Sequence, residues 1–245
     1  MVLSIITVNF GLNTGLHRSL NFYSHYDVEH IAIISGVTET EANLLESKYF
    51  TDNRMFLFNL DVGIYNAMNL GLEKAKGDFV FFLNGGDTFA NEESLSLILE
   101  KLNSRKCHLF RTNQIWKDDV YVRPSLENLN KLLKHPAHQG FVAPLDEKTP
   151  RFDESRPIDA DMIWMRQCIE IYGADVHEDV VANFYLGGIS NYPSLASVKK
   201  RYKGQGFARG SFEVIKMLLR IVLGNRIYYR YLAKRAGYDA KTGRY

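Results

Sequence analysis

The run FFLNGGD at residues 81–87 combines an apolar segment, two glycines and an acid in an order that suits ligand binding. The apolar segment is typical of a buried strand, and Gly85 and Gly86 would let a ligand approach the backbone closely. Asp87, at the carboxyl edge of a sheet, could hold a divalent cation that binds phosphate oxygens. A tight turn in which Asp87 caps the next helix explains the same residues equally well.

Two further stretches place acids at the start of predicted helices. LDVGIYNAMNLGLEKAKGD at residues 60–78 has Asp61 before a helix rich in amides, and RFDESRPIDADMIWM at residues 151–165 contains Asp159 and Asp161. The helix dipole favours acids in a first turn, so these residues on their own favour a structural role for all three acids.

Histidines and a glycine-rich loop supply further polar groups. HPAHQGFV at residues 135–142 places His138 and Gln139 before an apolar run, and the segment GGIS ends in Ser190. His177, which two acids follow, could act as a metal ligand. Each of these features also has a structural explanation, because histidines often satisfy hydrogen bonds and glycine pairs often form turns.

The spacing of these segments resembles a known family. The pattern D-x-G-I-Y-x-A-M-N-x-G-x-x-x-A-x-G-D, five apolar residues and N-x-G-D resembles a subgroup of the family 2 glycosyltransferases. These are inverting enzymes of the GT-A fold, and the subgroup is found among bacterial surface-polysaccharide and O-antigen enzymes. The resemblance becomes less clear from residue 2 towards residue 190. The matched residues are Asp61, Gly63, Ile64, Tyr65, Ala67, Met68, Asn69, Gly71, Ala75, Gly77, Asp78, Asn84, Gly86 and Asp87.

The resemblance implies an inverting glycosyltransferase that moves a sugar from a nucleotide sugar, with a UDP-sugar favoured, to a glycan acceptor. The expected acceptor is linked to a polyprenyl diphosphate. An acceptor hydroxyl would attack the anomeric carbon in a single displacement, so a carboxylate must take its proton and no covalent nucleophile is needed. Asp161 aligns best with the family's base, and Asp159 is the alternative.

The resemblance also implies roles for the remaining polar residues. Asp87 would bind Mn²⁺ or Mg²⁺, which bridges the donor diphosphate, and His177 is considered as a further ligand of that metal. Three residues would contact the acceptor or the diphosphate: His138, Gln139 and Ser190. The residues expected to contact the nucleotide sugar are Thr7, Val8, Asn9, Ser35, Asp61, Tyr65, Asn69, Asn84, Gly85 and Gly86.

Two of these positions depart from the family pattern. Asn84 stands where many relatives have an acid, which lowers the negative charge near Asp87. Ser35 replaces the aspartate that is usual after the second strand, a position that bears on the contacts with base and ribose. The sequence therefore does not identify the nucleotide.

These residues need a sheet whose strand ends meet at one edge. Apolar runs predict strands at residues 2–8, 30–34, 55–59 and 79–83, with shorter strands at 108–111 and 120–122. Helical spacing predicts helices at residues 12–24, 39–50, 64–76, 91–102, 158–171 and 211–235. This alternation predicts an α/β fold with a mostly parallel, doubly wound sheet and helices on both faces, as in the Rossmann-like GT-A fold. Ligands of such sheets bind at the carboxyl ends of the strands.

The composition argues against several other classes of protein. The chain has 245 residues, of which 46% are hydrophobic and 24% charged, values that argue against disorder and low-complexity arrays. Cys107 and Cys168 are too few for a disulfide framework, so we expect a reducing compartment. We find no apolar run long enough to span a bilayer, and the N-terminus lacks the basic region and cleavage site of a signal peptide.

Charge divides the chain into two parts. Residues 1–195 carry 17 basic and 26 acidic residues, a net charge of −9, whereas residues 196–245 carry 13 basic and 2 acidic residues, a net charge of +11. We expect a GT-A domain over residues 1–195 and a basic amphipathic helical segment over residues 196–245. That segment would contact an anionic membrane surface or pair with another subunit. The expected location is cytoplasmic, at the inner face of the cell membrane.

Three alternatives use the same features differently. A nucleotidyltransferase would share the sheet, but residues 9–18 do not match the glycine- and Arg/Lys-rich loop of such enzymes. A nucleic-acid-binding protein could use the basic tail, although the acidic main domain argues against a nucleic-acid partner. An inactive glycosyltransferase-like scaffold would not need Asp87 and Asp161, which are both present.

Overall fold

The computed structural model describes residues 2–21, 27–59, 63–125, 136–156, 158–186 and 193–241. The strands are β1 (Leu3–Phe10), β2 (Val28–Ser35), β3 (Arg54–Phe58), β4 (Phe79–Phe82), β5 (Thr88–Phe89), β6 (Cys107–Trp116), β7 (Asp119–Arg123), β8 (Phe141–Pro144), β9 (Ala174–Tyr185) and β10 (Asp239–Lys241). The α-helices are α1 (Thr14–Leu20), α2 (Glu39–Tyr49), α3 (Ile64–Lys74), α4 (Ser94–Lys101), α5 (Ala160–Tyr172) and α6 (Leu195–Ala236). A 3₁₀ turn, His138–Gly140, precedes β8.

The parallel part of the sheet has the strand order β4-β1-β2-β3. Ile5 of β1 lies opposite His30 of β2 on one side and Phe81 of β4 on the other. The apolar runs form these strands because β-branched and aromatic side chains can be buried on both faces of a parallel sheet. The predicted α/β fold is confirmed.

Beyond β4 the sheet is mixed. β8 pairs antiparallel with β4, and the order continues through β6 and β7 to β10. β9 runs parallel to β6 and also pairs with β5. The sequence pattern predicts no strand at residues 174–185, because charged side chains interrupt the segment ADVHEDVVANFY. Most side chains of β9 are only half-buried, so the strand carries no apolar signature.

Helices cover both faces of the parallel part, as predicted. On one face, Ile6 and Ile31 pack with α3 and α5, including Met68 and Trp164. On the other face, one apolar cluster joins β1 and β4 to α4, and a second joins the end of β2 to α1 and α2. The alternation of side chains along β1 and β2 separates the two sets of contacts.

The C-terminal helix begins earlier than predicted and contains two breaks. Gly206 and Gly224 have φ values of +80° and +72°, which divide α6 into segments at residues 195–205, 207–223 and 225–236. The last segment packs Tyr228 and Tyr229 against Tyr121 of β7, and β10 then pairs with β7. Among the described residues, no helix has both the length and the apolar character required to cross a membrane.

Trp164 anchors α5 to the sheet. Its ring stacks on Phe152 with the centroids 4.8 Å apart and meets Phe82 and Phe141 edge-on. Its Nε1 donates a hydrogen bond to the Pro150 carbonyl over 2.8 Å. This buried contact fixes the helix whose first turn carries the predicted base.

We expect Trp164→Ala to lower the free energy of unfolding by about 3–5 kcal/mol, because the substitution leaves a cavity that the core cannot fill. Urea unfolding followed by circular dichroism measures this change. Trp164→Phe keeps an aromatic ring and should lose clearly less stability. Equal losses in the two variants would contradict a packing role for the indole.

Candidate active site

The loop that follows β4 is held by close contacts with β1 and α1. A Cβ at Gly85 would lie 2.0 Å from Asn9 Oδ1, and Gly86 has a φ of +108°, so both positions favour glycine. The Ser19 hydroxyl of α1 accepts a hydrogen bond from the Gly86 N–H over 2.8 Å and donates one to the Asp87 carbonyl over 2.7 Å. Gly85 therefore allows close packing of the loop against Asn9, and Gly86 allows its positive φ.

Asp87 lies inside this loop with only 5% of its surface exposed. Gln139 Nε2 donates a hydrogen bond to Asp87 Oδ2 over 3.0 Å. Burial raises the pKa of Asp87 to about 7, although His138, the hydrogen bond from Gln139 and Arg18 partly oppose the rise. A cation bound nearby would stabilise the ionised carboxylate.

A chain of polar contacts connects the loop to α5. Asn84 Nδ2 lies 3.1 Å from His138 Nε2, and His138 Nδ1 lies 3.2 Å from Asp161 Oδ2. If the amide donates to Nε2, the Nδ1 atom carries the proton and donates to the Asp161 carboxylate. Both His138 and Asp161 keep part of their side chains exposed, at 21% and 28%. The predicted base therefore faces solvent while one of its oxygens is held.

Tyr65 of α3 meets the same carboxylate from another side. The Tyr65 hydroxyl lies 3.4 Å from Asp161 Oδ1. Burial and the neighbouring Asp161 raise the pKa of Tyr65, so its hydroxyl stays protonated and can donate. Asp159, the alternative base, pairs instead with Arg156 over 2.8 Å and has a φ of +75° just before the helix.

Asn69 serves as a clip between α3 and the segment before α5. Its Oδ1 accepts a hydrogen bond from the Phe152 N–H over 2.8 Å, and its Nδ2 donates to the Phe152 carbonyl over 3.0 Å and to Glu154 over 2.8 Å. These bonds occupy the amide of a side chain that is mostly buried. Asn69 thereby positions the segment that leads to the predicted base.

The ends of β1 and β2 lie at the same edge of the sheet. Val8 accepts a hydrogen bond from the Gly85 N–H over 3.0 Å, so β1 directly contacts the loop. The Ser35 carbonyl accepts from the Gly11 N–H over 2.7 Å, and Ser35 keeps part of its surface exposed. The Thr7 hydroxyl is fully buried and donates to the Leu83 carbonyl over 2.7 Å, so its side chain holds strands together.

The remaining predicted residues divide into two groups. His177 Nε2 lies 3.1 Å from His108 Nδ1, and its ring stacks on Phe110 of β6. The described part of the chain holds no cluster of three or more His, Cys, Asp or Glu suited to a metal. Asp61 and Ser190 lie outside the described residues.

Sequence reasoning missed the contribution of α1. Ser19 fixes the loop after β4, and Arg18 lies close enough to affect the charge of Asp87. Both residues are distant from the glycine motif in the sequence, and neither belongs to a recognised pattern. The sequence places Arg18 and Ser19 on one helix, predicted at residues 12–24, but it does not indicate that this helix contacts the loop after β4.

Comparison with known proteins supports the fold. S. aureus TarS superposes with a TM-score of 0.59 at 15% sequence identity, covering 90% of this chain and 43% of TarS. The chain shares the fold of TarS. TarS 1-349 in complex with UDP-GlcNAc gives a TM-score of 0.60 at 13% identity, covering 90% of this chain and 72% of that one. The mixed sheet and flanking helices are consistent with the GT-A fold.

A curated relative adds a sequence link. An uncharacterized glycosyltransferase of Haemophilus influenzae is 31% identical over 105 residues, which cover 41% of this chain and 42% of that protein. No family model matches the chain. The match to the relative thus spans less than half of either protein, and the fold shared with TarS extends over most of this chain.

The electrostatics of Asp87 make folding stability depend on pH. The pKa of Asp87 rises from 3.8 to about 7 on folding, so the folded state binds a proton that the unfolded state releases between these pH values. This proton uptake contributes to the free energy of unfolding at low pH, and the contribution is lost as the pH rises towards 7. We expect the free energy of unfolding of Asp87→Asn to increase relative to that of the wild type as the pH rises from about 5 to about 8, by at most about 3 kcal/mol. Urea unfolding in EDTA at both pH values measures this.

Asp153→Asn provides the matched control, because Asp153 is an exposed acid whose pKa is lowered by its hydrogen bonds to Ser155. That variant should not gain stability as the pH rises. A constant stability difference between wild type and Asp87→Asn across the pH range would contradict a raised pKa for Asp87.

Proposed function

We propose that the protein is an inverting glycosyltransferase that uses a nucleotide sugar, with a UDP-sugar favoured, and a glycan acceptor. The observation that carries this proposal is the contact chain from Asn84 through His138 to Asp161, which connects the glycine loop to a partly exposed carboxylate. The similarity to a Haemophilus glycosyltransferase and the fold shared with a protein that binds UDP-GlcNAc support the proposal.

In the proposed reaction, the oxygen of an acceptor hydroxyl forms a bond to the anomeric carbon as the bond from that carbon to the diphosphate oxygen breaks. The nucleoside diphosphate leaves with the bonding electrons, and the hydroxyl proton passes to Asp161. A general base of this kind contributes about 10²–10⁴-fold to the rate. No covalent intermediate with the protein forms, which is why the configuration inverts.

His138 is the residue that orients the base. Its Nδ1 lies 3.2 Å from Asp161 Oδ2, and Tyr65 approaches Oδ1 at 3.4 Å. These contacts hold the plane of the carboxylate. Fixed orientation of a base lowers the entropic cost of the proton transfer.

The proposal includes a divalent cation, Mn²⁺ or Mg²⁺, at Asp87. The donor set fits such an ion, because Mg²⁺ is usually held by one or two carboxylates together with substrate phosphates. Asn84 Oδ1 is buried and has no hydrogen-bond partner among the described residues, so a second oxygen of this loop is also available. When bound, the ion would neutralise charge on the departing diphosphate. Gln139 holds the Asp87 carboxylate in place.

The acceptor is proposed on the sequence motif. The resemblance to the bacterial surface-polysaccharide and O-antigen subgroup of family 2 supports a glycan linked to a polyprenyl diphosphate. The side chain of Asp161 is 28% exposed, and its exposed part would receive the acceptor hydroxyl.

We expect Asp161→Asn to lower the transfer rate by about 10²–10⁴-fold while the affinity for UDP changes little, because an amide cannot take the proton. UDP release from UDP-GlcNAc, UDP-glucose and UDP-galactose in the presence of a bacterial lipid extract measures the rate. Asp159→Asn is the matched control and should keep most of the activity. The reverse pattern would make Asp159 the base.

We expect UDP with Mn²⁺ or Mg²⁺ to raise the melting temperature, whereas UDP with EDTA gives a smaller shift. A ligand at about 100 times its Kd adds about 2.7 kcal/mol, a shift of roughly 5–10 °C for a chain of this size. Asp87→Ala should remove the metal-dependent part of the shift. GDP and CMP are the comparison nucleotides, and the absence of a shift with all three would contradict a nucleotide-sugar site.

A further inference from the structure

The middle segment of α6, residues 207–223, presents an exposed row of large apolar side chains. Val222 is 80% exposed and Phe207 81% exposed in the described structure. From Phe212 to Val222 these side chains are spaced three and four apart, so they lie on one side of the helix, and Phe207 is exposed at the start of the segment. We call these side chains the apolar face: Phe207, Phe212, Ile215, Leu218, Leu219 and Val222.

The opposite side of the same segment carries a buried acid. Glu213 is only 2% exposed and accepts a hydrogen bond from Ser197 over 3.1 Å. It also pairs with Arg201 at 3.2 Å and Lys216 at 2.8 Å. Segments 195–205 and 207–223 therefore pack together through a charged network, while the apolar face points outward.

This arrangement is the reverse of a helix on the surface of a water-soluble domain. Such a helix normally buries its apolar stripe in the core and exposes its charges. Contiguous exposed apolar patches usually mark a site that contacts another molecule or a membrane. The buried ion-pair network keeps α6 in this orientation, because rotation of residues 207–223 would separate Glu213 from Ser197 and Arg201.

Two partners could cover the apolar face, a second copy of the chain or an anionic membrane, and the charge of this region favours the membrane. Residues 196–245 carry a net charge of +11, and Lys199, Lys203 and Arg209 are exposed on the same helical segments. Two copies that met through this face would bring two such charges together, which is unfavourable. Anionic lipid headgroups instead attract the basic residues, while the acyl region accepts the apolar side chains.

We propose that the apolar face of residues 207–223 inserts into the interface of an anionic lipid bilayer, with the basic residues on the headgroups. The helix would lie in the plane of the membrane surface and would not cross it. This inference goes beyond the proposed transfer reaction and is independent of it. It would place the catalytic domain beside a lipid-linked acceptor.

The test is co-sedimentation of the full chain with phosphatidylcholine vesicles, with and without phosphatidylglycerol. The wild type should sediment only with the anionic vesicles, and added NaCl should weaken the binding. Ile215→Glu combined with Val222→Glu should weaken binding by about tenfold or more, because charges replace inserted side chains. Leu44→Glu is the matched control, since Leu44 of α2 is also exposed, and should bind like the wild type.

Three results would overturn the proposal. The wild type could stay in the supernatant with anionic vesicles, or the double variant could bind them unchanged. Size-exclusion chromatography could instead show that the wild type is a dimer and the double variant a monomer. If the wild type also failed to bind vesicles, the apolar face would be assigned to contact with a second copy of the chain. A cooperative thermal unfolding transition like that of the wild type confirms that the variants are folded. Vesicle binding without any nucleotide-dependent shift would contradict the proposed function alone.

Discussion

The antiparallel pairing of β8 with β4 determines where the candidate site forms. Because the two strands run in opposite directions, the turn before β8 lies beside the loop after β4. This brings His138 to Asn84 and Gln139 to Asp87. A Cβ at Gly140 would lie 2.4 Å from a carbonyl oxygen of β6, so tight packing fixes the turn. This register therefore brings the loop after β4 close to His138, which in turn contacts Asp161 of α5.

The two acids of the site differ in their surroundings, and this difference suits two roles. Asp87 is buried, and burial raises its pKa to about 7, so a cation bound nearby would favour its ionised form. Asp161 is partly exposed and is held by His138 and Tyr65. A buried acid suits an ion that neutralises the leaving diphosphate, and an exposed, oriented acid suits proton removal. Both residues are aspartates, so their different surroundings are what suits them to different proposed functions.

In the C-terminal helix, too, charged and apolar side chains lie in different environments. Glu213 is buried with basic partners, whereas the apolar face of α6 is exposed. The last segment of α6 packs on β7, and β10 then extends the same sheet. The basic tail is therefore joined to the main sheet, and a surface contact made by α6 would orient the whole domain.

The sequence by itself determined the parallel strands and the helices that cover them, because their apolar periodicity depends on local burial. It also singled out Asp87 and Asp161 through two separate stretches that resemble family 2. It did not predict β9, whose half-buried side chains lack that periodicity, and so it could not show that His177 meets His108. Only the tertiary structure connected Asn84, His138 and Asp161, because residues far apart in sequence meet only through strand pairing and the packing of α5.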